Sequence, residues 1–454
     1  MRKIFGTNGV RGITNKDLTP ELALRLGKSI GTYFKKGDKL LVGRDVRAGG
    51  DMLVRALTSG LLSTGIEVHY AGMLPTPTLQ YSIKNGDYAG GVMVTASHNP
   101  AEFNGIKVID HDGIETSNAS EEKIEEHYFK NDFREVPWQE LDRDVKDVPG
   151  AINEYIKGVM GLVDVAKIRA RKFKVLIDCA NSVGSVTTPR LAKELGCEIQ
   201  EANTRLDPLF PGRQPEPTPG SLAKTAEMCR SLKVDIGVAH DGDADRAIFI
   251  DSEGRVHLGD KSGALLAYWA ALKDGKDGKT VFTPFSSSDM IEEFLGMHGI
   301  RTERTKVGSI YVSRSLTEHG GIAGFEDNGG FIYPKHQCVR DGAMAFAFML
   351  DFLASQDKSS AQIFDQLPVY FIEKIKLPIN GIDTELMFRD IKSKYGKDGK
   401  IMDTDHDGLK MAGNGFWFIV RKSGTEPVLR ISVEAKEKAV LDKTLGDLKK
   451  LAGS

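Results

Sequence analysis

Asp241, Asp243 and Asp245 stand at alternate positions, separated by Gly242 and Ala244 and followed by Arg246. Three carboxylates spaced by the two smallest residues can converge on one hard cation, whereas left unpaired they would repel one another. Mg2+ and Ca2+ are the cations that suit such a donor set. An EF-hand loop requires glycine at its sixth position and glutamate at its twelfth. Counted from Asp241, those positions hold Arg246 and Ser252. The flanks, 234–238 and 247–250, read as strands, so the segment is expected to be a metal loop between two strands. The alternative is a solvated acidic turn.

A nucleophile comes from Thr95-Ala96-Ser97-His98-Asn99-Pro100. The segment follows the apolar Val92-Met93-Val94, itself preceded by Gly90-Gly91, and so reads as the loop leaving a buried strand. Pro100 cannot continue a ladder and biases Asn99 toward extended backbone, which fixes the loop exit. Ser97 is then held at the end of a rigid element, where reactive groups of α/β proteins usually sit. A plain turn is the alternative when this loop is taken alone.

Other loops carry chemistry of their own. Arg421-Lys422-Ser423-Gly424-Thr425-Glu426-Pro427 combines cations, hydroxyls and a glycine that permits close backbone approach, a composition suited to cradling a dianion. Gly324-Phe325-Glu326-Asp327-Asn328-Gly329-Gly330 offers acceptors and an amide between glycines, as sugar hydroxyls require. Lys107 lies between Ile106 and Val108, so on a strand its side chain points opposite to both neighbours, away from the core. Phe5-Gly6-Thr7-Asn8-Gly9-Val10-Arg11-Gly12 is a glycine-punctuated loop whose cation is Arg11. A solvated basic turn, an acidic turn, a surface lysine and an N-terminal turn are the respective alternatives. The Walker A pattern is absent: Gly278-Lys279-Thr280 has Lys273 where the leading glycine belongs, and it precedes its strand.

Elements must position these loops, and the chain repeats one arrangement of them. Lys39 to Asp45 is a short apolar strand, a helical pattern through Leu53, Leu57 and Leu61 follows, and Gly65 stops it before Ile66-Glu67-Val68. The pattern recurs as Lys174 to Asp178, a helix through Leu191 and Leu195, Gly196, then Cys197-Glu198-Ile199. It appears again as Thr280 to Thr283, a helix around Met290 and Phe294, Gly299, then Ile300-Arg301. Strand, helix, glycine stop and strand make a βαβ unit with a mostly parallel sheet covered by helices. The copies predict three related α/β domains, 1–150, 151–255 and 256–368, with Ser97 on the first and the aspartates on the second. The tail, 369–454, has alternating strands with helices at 386–395 and 441–451, the mark of a smaller α+β domain. No low-complexity linker separates these stretches, so the domains are expected to pack around a shared central cleft.

Composition sets the class. A chain of 454 residues is long enough for several domains, and 40% apolar with 27% charged residues is ordinary for a globular protein. A net charge of −2 argues against a dedicated nucleic-acid surface. Cys179, Cys197, Cys229 and Cys338 form no CxxC pair, which suggests neither structural zinc nor a disulfide framework. The start, Met1 to Gly6, lacks the apolar core of a signal peptide, and the longest apolar run, 343–354, contains Asp351 and is too short to span a bilayer. The expectation is a cytoplasmic protein with neither nucleic-acid nor membrane partners.

The order and spacing of Thr95 to Pro100, Asp241 to Arg246, Gly324 to Gly330 and Arg421 to Pro427 resemble those of the α-D-phosphohexomutases, over essentially the whole chain. The chain looks most similar to archaeal-type members described as phosphoglucosamine mutases or phosphoglucomutase/phosphomannomutases. That resemblance implies four domains, three related α/β units and a smaller C-terminal one. It implies that Ser97 is carried as phosphoserine, with one Mg2+ held by Asp241, Asp243, Asp245 and a phosphoserine oxygen. Phosphoserine gives its phosphoryl to the free 1- or 6-hydroxyl of a sugar monophosphate. The hexose 1,6-bisphosphate so formed serves as intermediate and activator, and turns around before returning a phosphoryl group to serine. By the same resemblance Lys107 is the general acid/base, and Arg11, His98 and Arg246 support the phosphoserine. Glu326, Asn328, Gly308 and Ser309 bind the sugar, and Arg421, Ser423, Gly424, Thr425 and Arg430 hold the non-reacting phosphate. The implied partners are small-molecule sugar phosphates, with a homodimer left open.

Two departures stand out. Many relatives end the sugar loop Ser-Gly-His, whereas here it ends Asn328-Gly329-Gly330, and His336 is the candidate to replace the missing histidine. Asn8 stands where many relatives have Asp. The preferred sugar does not follow from these residues. A metal-dependent sugar phosphatase and a non-catalytic sugar-phosphate-binding protein are the competing readings.

Overall fold

The computed structural model describes residues 4–452 apart from 7–8, 142–143, 276–278, 380–381, 397–399, 404–407 and 423–427. Its strands form four sheets among these residues. The first runs, in spatial order, Phe5–Gly6, Gly9–Ile13, Phe103–Asp110, Gly90–Val94, Lys39–Arg44, Glu67–Met73 and Lys146–Asp147. Lys39–Arg44 pairs in parallel with both of its neighbours, as the repeated pattern predicts. Phe103–Asp110 is antiparallel to both of its own, so the sheet is mixed. Alternation along the central strands divides the core: Leu40, Val42, Val92 and Val94 face helices Pro20–Tyr33 and Gly50–Ser63, while Leu41 and Met93 pack with Leu79 and Ile83 of helix Thr76–Asn85.

The second sheet runs Val256–His257, Ile248–Asp251, Ile236–Ala239, Lys174–Asp178 and Glu198–Ala202. The third runs Arg301–Thr305, Thr280–Pro284, Ala323–Phe325 and Phe331–Ile332. Both have a parallel centre with antiparallel strands on one flank. They share one continuous apolar core, at whose centre lies helix Gly342–Ala354 with Phe346 and Phe348 wholly buried. This helix is the apolar run singled out in the sequence. Its Asp351 is buried too, accepting from Trp269 Nε1 at 2.9 Å and Lys273 Nζ at 2.6 Å. Among the described residues no helix is long and apolar enough to cross a membrane.

The fourth sheet is antiparallel throughout, in the order Phe371–Pro378, Val428–Ala435, Phe416–Lys422, Gly408–Gly413 and Lys400–Asp403. Helices Thr384–Tyr395 and Lys438–Leu451 cover one face through Met387, Ile391, Leu441 and Leu448. Polar contacts join the units. Arg314 of the third pairs with Asp110 and Asp112 of the first. Asp289 N of the third donates to Glu434 Oε1 of the fourth at 2.8 Å.

Candidate active site

Strand Gly90–Val94 is buried on both faces and delivers a tightly held turn. Thr95 Oγ1 donates to Asp45 Oδ2 at 2.6 Å and accepts from Ser97 N at 2.9 Å. Ser97 itself adopts a left-handed conformation, with φ of 50°. That region costs a serine on the order of 1 kcal/mol or more and persists only where surroundings enforce it. Arg47 does the enforcing. Its buried guanidinium donates to the carbonyl oxygens of Ser97, Asn99, Pro100 and Phe103 at 2.6–3.0 Å, and its Nε pairs with Asp45 at 3.1 Å.

The turn meets the acidic loop that connects the antiparallel strands Ile236–Ala239 and Ile248–Asp251, as the flanking pattern predicts. Ser97 Oγ donates to Asp241 Oδ2 at 2.8 Å. Asp241, Asp243 and Asp245 are all buried, with one oxygen from each lying within 4.8 Å of the others. Asp243 Oδ1 and Asp245 Oδ1 have no hydrogen-bond partner although buried. Orphaned carboxylate oxygens beside a third carboxylate are what a hard cation would satisfy, so the donor set fits the Mg2+ expected from the sequence. The crowding shows in the protonation balance: burial, then Asp245 and Asp243, push Asp241 well above the usual carboxylate range.

Cations surround these acids. Lys107, on strand Phe103–Asp110, is wholly buried with its Nζ 2.8 Å from Asp243 Oδ2 and 4.0 Å from Asp245 Oδ2. Burial alone would raise Asp243, but the Lys107 ammonium and the hydroxyl of Thr76, 2.7 Å away, hold it well below the ordinary range. Arg246 reaches Asp241 at 3.7 Å and Asp245 at 3.8 Å, and donates to His98 Nδ1 at 2.8 Å. The neighbouring charge of Arg246, then burial and Arg11, keep His98 neutral far below its usual pKa. Arg11, on strand Gly9–Ile13, donates to Asn99 Oδ1 at 2.5 Å, and burial pushes its own pKa down to about 10.

The third sheet brings Glu326 to the same cluster, on the turn between Ala323–Phe325 and Phe331–Ile332. Asn328 Oδ1 accepts from Gly330 N at 3.0 Å and shapes that turn. Gly308 and Ser309 open helix Ser309–His319, Gly308 having φ of 132°. The fourth unit touches the turn that carries Glu326 through an ion pair of Lys374 with Asp327. Arg421 and Arg430 face each other across neighbouring strands, on the ends leading into and out of residues 423–427. Ser423, Gly424 and Thr425 lie outside the described residues, as does Asn8.

His336 is not part of the cluster. Its ring stacks on Tyr81 at 4.8 Å and sits 5.6 Å from Tyr155, with Nε2 3.3 Å from Asp341, in a buried aromatic corner. Sequence reasoning missed Arg47, Thr76 and Arg340. Arg47 carries the only hint, standing two residues past Asp45 where a strand ends; nothing local marks the other two.

Four family models cover the chain in order. Those for the phosphoglucomutase/phosphomannomutase alpha/beta/alpha domains I, II and III match residues 2–135, 153–254 and 258–370, and that for the C-terminal domain matches 372–450. A phosphoglucosamine/phosphogalactosamine mutase of Sulfurisphaera tokodaii is 53% identical over 452 residues, covering 99% of each chain. A phosphoglucomutase/phosphomannomutase of Thermococcus kodakarensis is 41% identical, covering 96% of this chain and 95% of its own. The solved structure of a phosphoglucomutase/phosphomannomutase family protein from Burkholderia thailandensis superposes with a TM-score of 0.87 at 24% identity, covering 99% of this chain and 96% of that one. With its serine turn, its aspartate loop and the turn of Glu326 meeting in one buried cluster, the chain belongs to the phosphoglucomutase/phosphomannomutase family, the α-D-phosphohexomutases.

Proposed function

We propose that this protein moves a phosphoryl group between the 1- and 6-hydroxyls of a hexose or hexosamine phosphate, with Ser97 as the carrier. The observation that carries this reading is the hydrogen bond from Ser97 Oγ to Asp241 amid three buried carboxylates, two of them with orphaned oxygens. The name of the Sulfurisphaera relative favours hexosamine phosphates among the substrates.

Each half of the reaction exchanges one O–P bond for another. The sugar hydroxyl attacks the phosphoryl group on Ser97, the Oγ–P bond breaks, and the proton lost by the sugar is matched by the one Ser97 Oγ regains. Lys107, whose ammonium lies 2.8 Å from Asp243 Oδ2 and 4.0 Å from Asp245 Oδ2, would donate the proton that Ser97 Oγ regains, and the amine so formed would take the proton that the sugar hydroxyl loses. Arg11 and Arg246 steady the serine turn through Asn99 and His98, which keeps the acceptor and carrier in line. Asp241, Asp243 and Asp245 are the residues that would hold Mg2+, which supplies neutralisation of charge on the transferring phosphoryl group. Glu326 and Asn328, with Gly308 and Ser309, orient the sugar. Arg421, Ser423, Gly424, Thr425 and Arg430 grip the phosphate that does not react, and one such grip serves either end of the bisphosphate. The division into 1–150, 151–255, 256–368 and 369–454 assigns one of these tasks to each unit.

Parallel assays with 6-phosphates of glucose, mannose, glucosamine, galactosamine and N-acetylglucosamine test the reading. The expected result is isomerisation of at least one of them, abolished by Ser97→Ala while sugar-phosphate binding persists. Release of inorganic phosphate faster than isomerisation would select a phosphatase, and binding without turnover a sensor.

A further inference from the structure

Arg340 is a buried cation that has no task in the mechanism above. It immediately precedes Asp341, which caps the core helix Gly342–Ala354 by accepting from Met344 N at 2.9 Å, so its backbone is anchored to the core. Its side chain is only 6% exposed. Nη2 donates to Asp245 Oδ2 at 2.5 Å and Nη1 donates to Glu326 Oε2 at 3.0 Å. One planar guanidinium therefore ties the acidic loop of the second sheet to the sugar loop of the third. A forked donor can do this with both bonds in plane, whereas an ammonium is a single point charge.

Gly330 makes the bridge possible. A Cβ built at that position would overlap Cγ and Cδ of the Arg340 stem. A side chain at 330 would thus force the Arg340 stem out of its present place. His336, held against Tyr81 and Tyr155, does not enter it.

We propose that Arg340 is a positioning residue for phosphoryl transfer. It locks the Glu326 carboxylate against the acidic loop, so that a sugar held by Glu326 presents its hydroxyl at a fixed place relative to Ser97. This inference rests on the mutase reading. The turn that carries Glu326 is thus fixed by an arginine reaching in from outside it.

The test uses the full chain with Mg2+ and compares Arg340→Lys, Arg340→Ala, Gly330→Ala and the double variant Gly330→Ala/Arg340→Ala. Turnover of the best hexose phosphate gives kcat and KM. Calorimetric titration of the corresponding 6-phosphate into the same variants built on Ser97→Ala gives affinity without turnover. Arg340→Ala is expected to lower kcat/KM by about tenfold or more, mainly through kcat, with part recovered by Arg340→Lys, since binding energy is being used for orientation. Gly330→Ala should lower kcat/KM when Arg340 is present and add nothing when it is Ala, the non-additivity expected of residues in contact. A lower Tm with unchanged affinity, kcat and kcat/KM would show that Arg340 only stabilises the fold, and would overturn the proposal. If Arg340→Ala does not fold, unchanged kcat/KM in both Arg340→Lys and Gly330→Ala overturns it equally. A wild-type chain inert toward every hexose phosphate would instead remove the mutase reading, and this inference with it.

Discussion

Gly242 lies directly against the carbonyl oxygen of Ser97: a Cβ at 242 would overlap that oxygen. The acidic loop and the serine turn thus meet backbone to backbone, and glycine is required for the approach. Gly242→Ala is expected to drive the two loops apart and lower kcat by about a hundredfold, as a misplacement of about 1 Å does in an oriented site. Circular dichroism should show the fold retained. A kcat near wild type would mean that the contact does not set the catalytic geometry.

The acidic loop should be a measurable cation site. Asp243→Asn removes a carboxylate that faces Lys107 and bears an orphaned buried oxygen. Calorimetric titration of Mg2+ should show affinity falling by at least about tenfold relative to wild type, with chelation abolishing turnover in both. Equal Mg2+ affinity in the two proteins would place the cation elsewhere.

Arg421 is assigned to the phosphate that does not react. Arg421→Ala should therefore raise KM by about tenfold or more while leaving kcat within a few-fold of wild type, the signature of lost uniform binding. A steady-state comparison decides it. Loss confined to kcat would assign Arg421 to the reacting phosphate instead.

The junction of the third and fourth units should respond to alkaline pH. Lys410 Nζ donates to Phe285 O at 2.8 Å and lies 4.5 Å from the centre of the Trp417 ring. Burial, then Arg304, pushes this lysine down to about 8 from its ordinary 10.5. A lysine easier to deprotonate in the folded chain than in the unfolded one opposes folding below its folded pKa. That opposition fades as pH rises from about 8 toward about 10.5. The Tm of Lys410→Met minus that of wild type should accordingly be constant below pH 8 and fall between pH 8 and pH 10. A difference that does not change with pH would show that Lys410 carries no such penalty.

Local pattern carried much of this molecule. The apolar stretch from Lys39 forms strand Lys39–Arg44, and Thr280 begins strand Thr280–Pro284, because short apolar runs ahead of a helical pattern and its glycine stop suit strands buried on both faces. The aspartate loop was legible because alternate carboxylates without partners imply a cation. Lys107 was legible as a strand residue pointing away from its apolar neighbours, although the strand's antiparallel pairing was not, since pairing is decided by partners far along the chain. Arg47 and Arg340 escaped for the same reason. Their work lies in contacts to Pro100 and Phe103, and to Asp245 and Glu326, which no spacing within their own segments announces. His336 packs against Tyr81 and Tyr155, contacts that its nearness in sequence to Gly330 does not announce.

Helix Gly342–Ala354 follows the sugar loop in the sequence yet packs into a core that also holds Tyr155, Val175 and Phe249 of the preceding unit. A gene cut between those units would hand neither half a closed interior, and Phe346 and Phe348 would be left facing water. The middle of this protein is thus inherited whole: it cannot be trimmed, shuffled or borrowed as a module without taking both loops that the helix supports.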